Sequence, residues 1–366
     1  GTLALTGRTT SIRMEQGCSA NTRVVEIAST LAGSSNIGTV VVGSEAFLFL
    51  SGNNTFSGTL TICSNLLVNI NNVNSLGVTN SPTIVNAGGT LGAYGTTAYE
   101  EWLTLSGSGL GARGALRLSS SPVWRGAITL ATNASIQLYN GGTNSIACPI
   151  GGSGNLTYDF NTAASTVYVS QAGAYVGDTI LSASSTIHGD MVMNGANLLP
   201  TNTILRLSAA SQRNMFFELN GYDQQLGGIT ASGNGTNRVI NNNAAAATLT
   251  INGLYTNTYG GMLGGNSANH NNFNLTKTGP GVFILTNNLN SYTGVTFVKE
   301  GALQIGDGSN MNGIITSPFI TNNAILHFYH SGAATSSYGG TIVGTGDVIK
   351  SGSSVFSLTN ANTYEG

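Results

Sequence analysis

Residues Leu275 to Gly308 read LTKTGPGVFILTNNLNSYTGVTFVKEGALQIGDG. An apolar run, Val282 to Leu285, is followed by the polar turn Asn287 to Ser291, then by Tyr292-Thr293-Gly294 and a second alternating run. Near-copies recur far away: Leu50 to Gly58 reads LSGNNTFSG and Leu358 to Gly366 reads LTNANTYEG. The order of turn, aromatic, any residue and glycine is kept in three places, and a repeat of this kind sets the architecture before any chemistry is considered.

Working outward, the same corner recurs in variant form. Six aromatic-x-Gly corners emerge: Phe56 with Gly58, Trp124 with Gly126, Tyr175 with Gly177, Tyr259 with Gly261, Tyr292 with Gly294, and Tyr364 with Gly366. Their separations lie near multiples of about 17, which predicts a turn of about 17 to 20 residues with the corner on one edge each time, hence about 20 turns. Ser81 to Leu91 (SPTIVNAGGTL) also resembles Ser317 to Leu326 (SPFITNNAIL).

Between the corners lie apolar runs of strand length split by Gly, Ser and Asn, the pattern of an all-β chain. Parallel stacking of each strand on its counterpart in the next turn gives every inner N–H and C=O a partner. The expected fold is therefore all-β: a parallel β-helix, or β-solenoid, forming a single elongated rod over residues 1–366, with divergent turns at 1–44 and repeat-bearing turns at 45–366. Asn pairs at 53–54, 71–72, 271–272, 287–288 and 322–323 are expected to stack as amide ladders. The aromatics are expected to cap the core at each bend, with the glycine supplying an unusual dihedral angle; an exposed row of rings stacking on sugars is the other reading.

Composition agrees. Only 7% of the 366 residues are charged, against roughly 25% in ordinary globular chains, while 40% are apolar and 51 are glycine. Twelve basic residues are scattered singly and the net charge is −2, which disfavours nucleic acid as a partner. No apolar run reaches the roughly 18 residues of a spanning helix, so no membrane insertion is expected within the chain. Cys18, Cys63 and Cys148 form no metal or disulfide pattern and read as small buried residues.

These residues resemble the autotransporter-associated β-strand repeat, also called the passenger-associated transport repeat, approximately L-x-K-x-G-x-G-x-L-x-L-S-G-x-N-x-Y-x-G-x-T-x-[IV]-x-x-G-x-L. The match runs through Leu275, Lys277, Gly279, Gly281, Phe283, Leu285, Asn290, Tyr292, Gly294, Thr296, Val298, Gly301 and Leu303, and again through Val348, Lys350, Gly352, Phe356, Leu358, Asn362, Tyr364 and Gly366. The resemblance implies a right-handed parallel β-helix in a large exported bacterial protein, at the cell surface or extracellular. Residues 1 to 40 match it poorly, and the translocator barrel of such proteins is not in this sequence. The chain begins and ends inside repeat text and reads as a piece of something longer.

For chemistry, Glu26 and Glu45 share their spacing with Asp159 and Asp178. It falls within the expected turn length, so each pair of carboxylates would stack on successive turns as in a glycosidase site. Neither pair has a third carboxylate one turn on. Glu100 and Glu101 alternate sides if extended, as do His327 and His330. Gly306-Asp307-Gly308 and Gly344-Thr345-Gly346-Asp347 are fragments of a calcium nonapeptide without its tandem repetition. The sequence thus predicts no catalytic, cofactor or metal site and no enzyme. The expected function is an extracellular structural rod, stalk or filament subunit, an adhesin passenger segment in its most specific form. Its partners would be itself, head to tail, or cell-surface glycans or proteins. The alternative is a β-helix polysaccharide-degrading enzyme or glycan-binding passenger. Lys277 and Lys350 read as equivalent positions on one flank.

Overall fold

Alternation decides the local structure. In Leu60–Ile62, Leu156–Asn161 and Ala247–Asn252 every second residue is buried, the two-residue period of a strand with one face on a core. The computed structural model describes residues 1–15, 23–183, 188–309, 312–333 and 335–366. They form parallel sheets stacked as a β-solenoid of about 15 turns. Among the described residues helix is confined to a 3-10 turn at Leu110–Ala112 and one α-turn at Ala268–Asn271. No helix among the described residues is long and apolar enough to cross a membrane.

The chain divides into two compact units, Gly1–Gly189 and Asp190–Gly366. In the first, a turn contributes strands at three successive positions. Leu60–Ile62, Thr83–Val85 and Leu103–Gly107 stack in the first position. Ala46–Leu50, Leu66–Ile70, Thr90–Tyr94 and Leu116–Ser119 stack in the second. Ala98–Tyr99, Val123–Trp124, Gly142–Ile146 and Ser165–Val169 stack in the third. The long strand Ile128–Tyr139 rounds the corner from first to second position and pairs in both.

In the second unit, Phe273–Thr278, Thr296–Val298, Phe319–Asn322, Thr341–Gly344 and Thr363–Tyr364 share one sheet. Val282–Leu285, Ala302–Ile305, Ile325–Tyr329 and Asp347–Ser351 share another. Ser336–Tyr338 and Phe356–Leu358 form a third.

In-register stacking builds the core. Leu48, Val68, Leu91, Leu116, Ile136, Tyr158 and Leu181 lie one above another, one per turn, all buried. Each aliphatic side chain so placed contributes about 1.5–3 kcal/mol relative to exposure. In the divergent turns, Thr9–Glu15 pairs along its whole length with Asn36–Val42, yet Thr2–Leu5 and Arg23–Ile27 leave most side chains exposed. The parallel ladder persists there with little core beneath it.

The turn is longer than the corner spacing predicts. Ala46 stacks on Leu66, Leu67 on Thr90 and Thr2 on Thr30. The step from one turn to the next therefore starts at the upper end of the expected range and extends well past it. Turn length and turn count are both corrected, with longer turns and about 15 of them. Loops between strands absorb variable lengths without disturbing the register, so spacing alone does not report the turn.

Candidate functional site

The corner residues are placed by their backbone neighbours. Asn290 is 2% exposed: its Oδ1 accepts from Leu263 N at 2.9 Å in the turn below, and its Nδ2 donates to Ile314 O at 2.9 Å in the turn above. Asn54, two residues before Phe56 as Asn290 is before Tyr292, does the same between Leu31 N and Ser75 O. Amide ladders form at one member of the expected pairs, where Asn74 Nδ2 donates to Asn53 Oδ1 at 2.7 Å, and outside them, where Asn243 Nδ2 donates to Asn220 Oδ1 at 3.2 Å. Asn72, Asn287 and Asn322 instead donate to backbone carbonyls of a neighbouring turn.

Phe56, Trp124, Tyr175, Tyr259 and Tyr292 are buried, and Tyr364 is half-buried. Tyr292 stacks on Phe273 with ring centroids 5.5 Å apart, and Trp124 on Tyr99 at 5.4 Å. Burial leaves no row of exposed rings for a sugar. It also pushes the Tyr175, Tyr259 and Tyr292 hydroxyls up, above the ordinary phenol range. The corner glycines work by close approach. A Cβ on Gly58, Gly126, Gly177, Gly294 or Gly366 would overlap a backbone carbonyl of the turn below, that of Glu101 in the case of Gly126. Among the six only Gly177 has a left-handed φ, at 152°, so the dihedral explanation fails for the others. Gly261 differs again, because its Cβ would meet the Tyr259 ring.

These corners do not share one edge. In the first unit Phe56 and Trp124 precede first-position strands, at Leu60 and Ile128, whereas Tyr175 precedes the second-position strand Thr179–Ala183. In the second unit Tyr259, Tyr292 and Tyr364 occupy three different corners. Likewise Lys277 and Lys350 stand in different sheets, Phe273–Thr278 and Asp347–Ser351. Their local role is nevertheless the same: each ammonium caps the carbonyls one and two residues ahead, Thr278 and Gly279, or Ser351 and Gly352. Lys277 is buried, and desolvation lowers its pKa to about 8 although Glu300 opposes the shift.

The proposed carboxylate stacks are not made. Glu26 faces Phe49 and Asp159 faces Ser182 one turn on. Asp178 N instead donates to Asn155 Oδ1 at 2.9 Å. Glu45 pairs with Arg113 at 3.1 Å. Glu101 is a surprise. It is fully buried, neither carboxylate oxygen has a hydrogen-bond partner, and desolvation, reinforced by Glu100, raises its pKa to about 7.

His327 reaches Gln304 Oε1 at 3.2 Å, and the buried His330 reaches Ser336 Oγ at 2.7 Å. Cys148 is buried with its thiol pushed up to about 12, Cys63 is half-buried, and Cys18 lies outside the described residues. Among the described residues no group of three or more His, Cys, Asp or Glu side chains could hold a metal ion.

Sequence reasoning missed a groove in the first unit. One register row outward from the buried ladder, the second-position strands present Phe49, Asn69, Gly92, Arg117, Gln137, Asp159 and Ser182, one per turn. Over the upper four the face opens into a cleft of about 540 Å³ whose lining is more polar than apolar. Its rim is the loop Ser108–Gly114, held by Thr90 Oγ1, which donates to Gly114 O and accepts from Leu110 N, both at 2.8 Å. Ala112 O accepts from Gln137 Nε2 at 3.2 Å, and the same amide donates to Asp159 Oδ2 at 2.9 Å. The Arg117 guanidinium lies over Tyr139, with Cζ 3.4 Å from the ring centroid. A second, more apolar cleft of about 320 Å³ includes Phe49, Ile70 and Tyr94 on the same face below.

Fold and corners together define a parallel β-solenoid whose repeated residues act between turns. Residues 48–64, 275–305 and 348–366 match the passenger-associated-transport-repeat family model, and the chain carries this repeat. The Trp124 and Tyr175 corners lie outside the matched segments. No curated protein and no solved structure matches the chain.

Proposed function

We propose that this chain is a segment of an autotransporter-type passenger, a structural β-solenoid exposed outside a bacterial cell, with adhesion rather than catalysis as its task. One observation carries the reading. The residues that define the repeat, Asn290, Tyr292, Gly294 and Lys277, are all engaged in holding one turn to the next, so the repeated text serves architecture. The repeat family supports secretion or surface display. Two carboxylates placed across a scissile bond are what a glycosidase of the usual kind requires, and neither expected pair meets.

External protease on intact source cells, followed by immunodetection with antibodies raised against this chain, tests the reading. Cleavage without lysis, with signal in the envelope or medium fraction, is the expected result. Protection until the cells are lysed would overturn it.

A further inference from the structure

The smaller cleft on the first unit is lined by a buried side-chain amide whose oxygen has no hydrogen-bond partner. We propose that this cleft binds an N-acetylhexosamine unit of a neutral glycan, with the sugar ring against Phe49 and Tyr94 and the acetamido group on Asn69. This specifies a ligand class for the adhesive passenger proposed above and rests on that reading.

Asn69 is the anchor. It stands on the outward row between Phe49, one turn below, and Gly92, one turn above. It lines the cleft of about 320 Å³ and is only 6% exposed. An acceptor shut off from water without a partner is costly, and a donor brought by a ligand recovers that loss. Glycine at 92 makes the space. A Cβ there would lie 2.7 Å from Asn69 Oδ1 and 2.9 Å from Tyr94 Cε2, so the Tyr94 ring leans back over the gap that Gly92 leaves in the row, close to the unpaired oxygen.

The walls then set the class. Phe49 is 38% exposed and Tyr94 half-buried, and their strands lie two turns, or about 10 Å, apart. Two aromatic side chains flanking one hydrogen-bonding group suit a pyranose, whose C–H face packs on a ring while a polar substituent reaches the group between them. The rest of the lining includes the aliphatic carbon of Leu50 and Ile70, so a sugar carrying hydroxyls alone strands some of them there. An acetamido group meets both demands: its methyl buries against Ile70 and Phe49, and its N–H donates to Asn69 Oδ1. No residue lining this cleft is charged. A uronate or phosphate therefore enters without a partner for its charge, which favours a neutral chain over the carboxylated N-acetylmuramic acid of a bacterial wall. A hydrocarbon tail fills the apolar part and leaves the Asn69 oxygen unsatisfied.

The test is calorimetric titration of the purified whole chain with four probes: chitobiose, a disaccharide of N-acetylglucosamine; cellobiose, the same linkage without acetamido groups; the wall disaccharide of N-acetylglucosamine and N-acetylmuramic acid; and p-cresol, standing for an aromatic side chain of a protein partner. Chitobiose is expected to bind about tenfold or more tighter than each of the others. Asn69→Leu lowers chitobiose to the affinity of cellobiose, about a tenfold loss, and leaves cellobiose little changed. Phe49→Ala weakens both disaccharides by about fivefold. Far-UV spectra identify variants that keep the fold; should Asn69→Leu lose it, the exposed Phe49 and the preference for chitobiose decide. Absence of chitobiose binding, cellobiose or the wall disaccharide bound as tightly, p-cresol bound more tightly, or affinities unmoved by both substitutions would overturn the proposal. Its failure leaves the surface location of the chain untouched, since the two experiments share no readout.

Discussion

Tyr292 Oη lies 2.7 Å from Thr296 Oγ1, one short loop further along the chain. Tyr175 and Thr179 make the same contact in the first unit. Where the aromatic has no hydroxyl the partner has none either: Phe56 is followed at the same distance by Leu60, and Trp124 by Ile128. At these four corners the two positions are polar together or apolar together; at Tyr259, whose fourth residue on is Leu263, the buried hydroxyl donates to the backbone carbonyl of Met262 at 3.3 Å instead.

Tyr292→Phe and Thr296→Val are therefore expected each to destabilise the local turns by about 1–3 kcal/mol, the cost of stranding the other hydroxyl. The double variant should cost clearly less than the two added, as at Phe56 and Leu60. Hydrogen exchange at the amides of Thr296–Val298 reads this without assuming that the whole array unfolds at once. Strict additivity would show that the hydroxyls do not support each other.

Glycine at the corner answers to the turn beneath it. Gly126→Ala would drive a Cβ into the Glu101 carbonyl oxygen, while a Cβ on Gly151 meets nothing within 4 Å. The first substitution is expected to displace one turn against its neighbour at a cost of about 3 kcal/mol or more, as overpacking against rigid backbone does. Gly151→Ala should be neutral or slightly stabilising. Comparable urea midpoints for the two variants would mean that turn-to-turn contact at Gly126 is looser than its geometry.

Much of this was legible because each repeat residue touches the next turn at its own position. Asn290, Tyr292 and Gly294 carry their roles in their order, and the alternation at Val282–Leu285 gives the strand. The turn length was not legible. Tyr259, Tyr292 and Tyr364 sit on three different corners, so their spacing mixes whole turns with parts of turns, and loops add residues that the ladder ignores. The groove was less visible still. Arg117, Gln137 and Asp159 are separated by a full turn at each step, and nothing in their local sequence marks them; only the stacking register brings them into one row. Glu100 and Glu101 read only as alternating sides of a strand, which does not say that Glu101 is sealed in. Its burial follows from its place beside Tyr99, one turn below Trp124 and Gly126, where Trp124 Nε1 donates to the Glu101 carbonyl at 3.2 Å.

That burial makes stability depend on pH in a direction opposite to the usual carboxylate. Glu101 is ordinarily half-ionised at 4.5, and in the fold at about 7, raised first by desolvation and then by Glu100. Glu100 itself is engaged at the surface by Arg125, 3.3 Å away. A folded pKa above the unfolded one means that the folded state holds the proton more tightly. Between pH 4.5 and 7 the native state therefore holds the Glu101 proton more than the unfolded state does, and this group's contribution to stability falls as pH rises, while His270, His327 and His330, with pKa values lowered by burial, act in the opposite sense. The contribution is fully present below pH 4.5 and is lost by about pH 7, amounting to about 3 kcal/mol across the window. Glu101→Gln keeps the size and removes the titration. Urea unfolding followed by Trp fluorescence is expected to show the midpoint of the unmodified chain falling relative to that of the variant across this pH window, the difference isolating Glu101 from the histidines common to both. Identical pH profiles for the two would mean that the Glu101 carboxylate is hydrated in solution and ionises at its ordinary value.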